Sequence, residues 1–205
     1  FFFKQKTAYE IVDCDWSSDV CSSDLAERPG LWLAMAQSAL RGGDGAAALR
    51  ATRGHQAEGP TEPKVLLLQA QAQALLKNPA GVVQSLQALV QADEAAGRAT
   101  AEPPLKLLAA TQLQQGDERG YRQTLERLVR QHPAPAYWAD LIARWRAQPD
   151  LPATLHLDAL RLARRAGALE DRLEVLELVQ LAVQAGQPAE ALAVLDEAEI
   201  GRAHV

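Results

Sequence analysis

Short breaks built on glycine or proline recur along this chain at Gly42-Gly43-Asp44, Lys77-Asn78-Pro79, Gln115-Gly116-Asp117, Gln148-Pro149-Asp150 and Gly186-Gln187-Pro188, 33 to 38 residues apart. Between them lie longer breaks at Glu58 to Pro63, Gly97 to Pro104, His132 to Pro135 and Gly167. Each period therefore holds two stretches of about a dozen residues, or roughly three helical turns apiece. The stretches are dominated by Ala, Leu, Gln, Arg and Glu, with few β-branched residues in any run, so both should be helices. A unit of this size cannot bury its own apolar face and must stack on its neighbours. The period of about 34 residues predicts an all-α fold, a tetratricopeptide-like α-solenoid of about five helix-turn-helix repeats.

The third and fifth periods show the pattern most clearly. In EPPLKLLAATQLQQGDERGYRQTLERLVRQHP, Leu105, Leu108 and Ala109 supply the apolar and small positions of the first helix, and Gly116 makes the turn. Tyr121, Leu125 and Leu128 face inward on the second helix, and Pro133 closes it. The small residue allows close helix approach, the glycine accepts a positive φ at a helix end, and proline stops the helix. In the fifth period the same roles fall to Val175, Leu178, Ala182, Gly186, Ala191, Leu195 and Ala198. Asp117 and Pro188 suit first turns, by side-chain capping and by a preset φ. The first period offers Trp32, Met35 and Ala36 in its first helix and Pro60 at its end, while its second helix, Gly45 to Arg53, is short of large apolar anchors. Leu66, Leu108, Leu125, Leu141, Leu178 and Leu195 are the expected core.

The two ends read differently. The opening FFFKQKTAYEIVDCDWSSDVCSSDL resembles the conceptual translation of a short-read library adapter, with Val12, Asp13 and Cys14 where a sample index would sit. Glu199 and the tail IGRAHV resemble the matching adapter at the other end. The expected organisation is therefore residues 1–25 as non-native adapter, 26–198 as the repeat fragment and 199–205 as non-native adapter. On this reading Asp15 to Asp24 should be extended or irregular, Thr7 to Val12 is the place for a chance helix, and Cys14 and Cys21 should be exposed and unpaired. The repeat region then has no cysteine, and 18 Lys and Arg stand against 20 Asp and Glu, a net charge of −2. A nearly neutral chain without a basic face gives no electrostatic reason to expect nucleic acid as a partner. No apolar run approaches the roughly 18 residues that would suggest a membrane span.

Within residues 26–198 the order of motifs adds a second signal. The stretch AYWADLIARWRAQPDLPATLHLDALRLARRAGAL is followed by VQLAVQAGQPAEALAVLDEA and preceded by QADEAAGRAT at Gln91 to Thr100. Together these resemble an exported tetratricopeptide repeat family of proteobacteria, particularly of the Burkholderia group, over most of Ala26 to Ala198. The resemblance implies a repeat scaffold in the bacterial envelope, periplasmic or exported, with a cytoplasmic location as the alternative. Family members continue beyond the point where this segment stops. The last helix is accordingly expected to expose an apolar stripe near Ala198 and to fray.

No P-loop, GxGxxG, GxSxG or HExxH motif is present, so the sequence points away from an enzyme and names no cofactor and no metal. His132 and His156 lack the further ligands or orienting partner that metal or acid–base chemistry needs, and His132 suits the C-terminal end of a helix. Asp171, Glu174 and Glu177, with Glu170, read as acidic residues at a helix start. The first helices carry only Lys64 and Lys106 as isolated lysines, which argues against a clamp for a C-terminal carboxylate and for helix or extended-segment binding by packing.

Trp138, Asp140 and Arg144 are spaced to share a helix face, although packing for Trp138 and a solvated Asp140–Arg144 pair is the blander account. Tyr137 and Trp145 are the better candidates for an exposed aromatic contact, with ordinary packing between helices as the blander account here too. Tyr137, Trp138, Arg144 and Trp145 are thus the candidate protein-binding residues, since interfaces favour Trp, Tyr and Arg as anchors. The expected function is a protein-binding scaffold whose protein or peptide partner the sequence does not name. The alternatives are an interaction segment of a larger multidomain protein whose catalytic part is missing, and a structural unit that self-associates.

Overall fold

The computed structural model describes residues 18–203 other than 60, 150 and 170, with side chains described from 29 to 197 apart from those three and 153. Ten helices and no strand are present among the described residues. They are α1 (Ser18–Arg41), α2 (Gly45–Glu58), α3 (Pro63–Leu75), α4 (Pro79–Ala95), α5 (Glu102–Gln114), α6 (Glu118–Gln131), α7 (Pro135–Arg146), α8 (Ala153–Arg165), α9 (Arg172–Gln184) and α10 (Pro188–Ala203). All five short breaks fall between the two helices of a pair, as expected. The chain forms two compact units, Phe1–Leu89 and Val90–Val205, whose boundary lies inside α4.

One local device ends most of these helices. At α1, α3, α4, α5, α8 and α9 the residue after the C-cap takes a left-handed conformation, at Gly43, Lys77, Gly97, Gly116, Gly167 and Gly186. The next amide then reaches back to an orphan carbonyl. Asp44 N donates to Ala39 O at 2.9 Å, Asp117 N to Gln112 O at 2.9 Å and Gln187 N to Ala182 O at 2.9 Å. Where a second helix follows at once, that same residue caps it. Asp44 Oδ1 accepts from Ala47 N at 2.8 Å, Asn78 Oδ1 from Gly81 N at 3.2 Å, and Asp117 Oδ1 from Gly120 N at 2.9 Å. The chain thus turns from one helix into the next within three residues, which forms a hairpin. Helices α3, α7 and α10 start on Pro63, Pro135 and Pro188, where the missing N–H costs nothing.

In the first unit α1 packs on α2, α2 on α3, and α1 also on α3. Ala36, Ala51 and Leu68 form a core with Trp32, Leu33 and Leu40 against it. The Trp32 ring lies so close to Gly54 that a Cβ there would stand 2.8 Å from it, so only glycine admits this approach. The first helix pair is held by small residues and one indole rather than by large anchors, in line with its alanine-rich sequence. His55 is buried with neither ring nitrogen hydrogen-bonded.

In the second unit each helix from α5 to α10 packs on the next in order. Leu157 and Leu160 cluster with Leu178, Ala182, Ala191 and Val194. Thr124 Oγ1 donates to Gln112 Oε1 at 2.7 Å, a buried polar tie between α6 and α5.

Five of the six expected core leucines, Leu66, Leu108, Leu125, Leu141 and Leu178, are buried, but Leu195 is more than one-third exposed because no helix among the described residues covers that face of α10. Met35 likewise points to solvent rather than filling the first helix pair. The expectation that Asp15 to Asp24 is extended fails from Ser18 onward, where α1 is already helical. Pro29, inside α1, stands fourteen residues before Gly43, as Pro63 at the start of α3 stands before Lys77. The Thr7 to Val12 segment, Cys14 and the Cys21 side chain lie outside the described residues.

Candidate functional site

Helix α7 carries all four candidate residues, and helical periodicity splits them between two faces. Tyr137 and Arg144 share one face with Leu141. Trp138 and Trp145 share the other with Ile142, where both indoles pack against a cluster of Ile142 with Ala163 of α8 and Ala168. The two tryptophans therefore join the two helices of their own pair, and Trp145 is only partly exposed.

The Tyr137 face turns toward α5 and α6. Tyr137 Oη donates to Glu102 Oε1 of α5, and Tyr121 Oη of α6 donates to Asp140 Oδ2. Arg144 closes the arrangement. Its Nε donates to Asp140 Oδ1 at 2.8 Å, its Nη1 reaches Glu118 Oε2 at 2.5 Å, and its guanidinium lies 4.3 Å from the centroid of the Tyr121 ring. The expected solvated pair Asp140–Arg144 is thus part of a tie between α7 and α6. Burial first, then the bond to Asp140, pushes the Tyr121 hydroxyl up to about 12. The bond to Glu102, then burial, raises that of Tyr137. Both phenols stay protonated as donors across the neutral range.

Between α5 and α7, over α6, these residues border a groove of about 350 Å³. Its floor is Ala109, Leu125 and Leu128, one wall is Lys106, Ala110 and Leu113, and Ala136, Tyr137 and Asp140 form the other. Ala110 and Leu113 are exposed. The rim offers the carboxylate of Asp140 and the Lys106 ammonium, itself 4.0 Å from Glu102. Such a surface can hold an apolar segment and orient it by a few polar contacts; it presents no nucleophile beside a base. Among the described residues no group of three or more His, Cys, Asp or Glu is placed to hold a metal, and no helix is long and apolar enough to cross a membrane.

The chain resembles, in three dimensions, the crystal structure of the MamA protein, with a TM-score of 0.50 over 84% of this chain and 91% of that one at 14% identity. A second crystal structure of MamA gives 0.47 over 83% and 98%, also at 14% identity. The fold is a tetratricopeptide-like helical repeat. No protein-family model matches the chain, and no curated protein matches its sequence.

A set of polar ties from one helix pair to the next escaped the sequence reading. Arg146 of α7 reaches Glu174 at 3.1 Å and Glu177 at 2.5 Å on α9, so these carboxylates are partners of an arginine rather than only an acidic helix start; Asp171 does cap α9, accepting from Leu173 N at 2.9 Å. Arg161 and Arg164 of α8 pair with Glu190 and Glu197 of α10, and the bonds to these arginines hold both glutamates below the usual carboxylate range. His132 is the C-cap of its own helix α6, as expected, and in addition places Nε2 2.7 Å from Thr100 O, 32 residues back. The one available signal was the separation, since these partners lie 28 to 33 residues apart, close to one period.

Proposed function

We propose that this chain is a protein-binding helical repeat scaffold without catalytic activity, and that the groove between α5 and α7 receives an apolar segment of its partner. The observation that carries the reading is the groove itself, with an alanine and leucine floor, two protonated tyrosines and exposed Ala110 and Leu113 on its wall. Of the four residues expected to bind, Tyr137 borders the groove and Arg144 holds the Tyr121–Asp140 side in place. Trp138 and Trp145 support α7 from behind. Selection from a displayed random-peptide library tests this directly. Binders should appear, and Ala110→Arg, which fills the groove from an exposed position, should abolish their binding while circular dichroism stays unchanged. Failure to select any peptide, or binders indifferent to both Ala110→Arg and Leu113→Arg, would overturn the reading.

An envelope location, periplasmic or exported, is supported by the resemblance of residues 136–198 to the exported family; fractionation of cells producing the native gene product would check it. The division into residues 1–25, 26–198 and 199–205 is supported by the adapter-like codon order at both ends. The register of Pro29, fourteen residues before Gly43 as Pro63 is before Lys77, also supports it.

A further inference from the structure

Beside the α5–α7 groove lies a second cavity, on the other side of α7. It encloses about 280 Å³, and most of its lining is small and apolar, from Pro135, Ala136 and Ala139 of α7 and from Ala168. The rest is Asp171, the N-cap of α9, and Glu174 in its first turn, and among the described residues the lining contains no cation. Ala136 is exposed and borders both cavities, so one segment crossing α7 meets the two in turn. All of these residues belong to the unit Val90–Val205.

The two cavities differ in charge. In the α5–α7 groove Lys106 and Asp140 are opposite in sign, and each has a partner of its own, Glu102 at 4.0 Å and Arg144 at 2.8 Å. In the α7–α9 cavity nothing in the lining offsets the carboxylates. Arg146 reaches Glu174 but divides its guanidinium between Glu174 and Glu177. Asp171 Oδ1 accepts from Leu173 N, and the exposed Asp171 side chain stands in no ion pair among the described residues. Arg172 is about 200° around α9 from Glu174 and outside the lining. The N-terminus of α9 adds about half a positive charge, less than the surplus of Asp171, Glu174 and Glu177 over Arg146. A cavity with apolar walls and a net negative charge suits a long basic side chain, whose methylenes pack on the walls while its head reaches the carboxylates.

We propose that the partner segment received by the α5–α7 groove carries a lysine or arginine near its apolar anchor, and that this basic side chain enters the α7–α9 cavity and pairs with Asp171 and Glu174. The inference rests on the groove reading above and adds the partner's chemistry to it. The cavities flank a single helix, so their centres are on the order of 10 Å apart, the spacing of packed helices. An extended segment of the polyproline type covers about 9 Å in three residues and returns to the same side. A helix covers about 10 Å in seven. The basic residue therefore stands three positions from the apolar one in an extended partner, or seven in a helical one.

Peptides selected on the full chain from a displayed random library report the outcome. Those that lose binding to Ala110→Arg should share an apolar residue with Lys or Arg at one of these spacings. One such peptide, labelled with fluorescein and titrated by anisotropy, should bind about fivefold more weakly when its basic residue is replaced by glutamine, the upper end for an exposed ion pair. Asp171→Asn combined with Glu174→Gln should weaken the original peptide by a similar factor and make the two peptides bind equally. Asparagine keeps the cap on α9 and glutamine keeps an oxygen for Arg146. Circular dichroism checks the fold, and Glu174→Gln alone replaces the double variant if that one unfolds. Groove-dependent peptides without a basic residue overturn this proposal and leave the groove reading standing. So does a basic residue whose replacement has no effect, or costs the same in both proteins. Failure to select any peptide that needs the groove overturns both.

Discussion

Lys77 is the one described residue other than glycine at positive φ, 53°, and it occupies the closure that five glycines occupy elsewhere. For an L-residue this conformation costs about 1–2 kcal/mol, because Cβ crowds the following carbonyl. Replacing Lys77 by glycine removes that strain and restores roughly 0.4–1 kcal/mol of freedom to the unfolded chain. The net expectation for Lys77→Gly is a gain of about 0.5–1 kcal/mol. Gly116→Ala is the converse. At Gly116, φ 74°, a Cβ would meet nothing within 4 Å, so the backbone alone sets the penalty, and a loss of about 1 kcal/mol is expected. Urea unfolding followed by circular dichroism measures both, with the transition slope checked to be unchanged so that midpoints report stability. If Lys77→Gly lowers the midpoint, or Gly116→Ala leaves it in place, the closure is not limited by left-handed strain and the argument fails.

His55→Leu removes two buried ring nitrogens that have no partner, and should be neutral or stabilise by about 1 kcal/mol in the same assay; a clear loss would show that the imidazole is bonded. Tyr121 ionises near 10 in the unfolded chain and near about 12 in the fold, so the folded state holds more protons between those values and stability should fall as pH rises through that window. Tyr121→Phe should flatten this part of the profile relative to the unsubstituted chain, and equal slopes would count against the Tyr121–Asp140 bond. A chain of residues 26–198 should melt within about 2 °C of the full chain, the shift expected of well under 1 kcal/mol at this length. A fall of several degrees would make residues 1–25 part of the fold.

Much of this protein is local, and local features were legible in its residues. Glycine at the closures, Asp44 and Asp117 after them and proline at helix starts act within one turn of chain, so their roles follow from neighbours in sequence. The helix pairs and the period follow from the same signals. Tertiary structure alone decided which like residues do different things. Leu160 and Leu195 hold the same place in their helices, yet one is buried and the other exposed, because burial depends on whether a following helix is present. Glu174 and Glu177 looked like a favourable helix start until Arg146 arrived from another helix pair. Tyr137 and Trp138 are adjacent in sequence and part company because a helix turns by about 100° per residue, sending one to the groove and the other to α8. Which partner waits on each side is set by how the pairs stack, and stacking joins residues a full period apart.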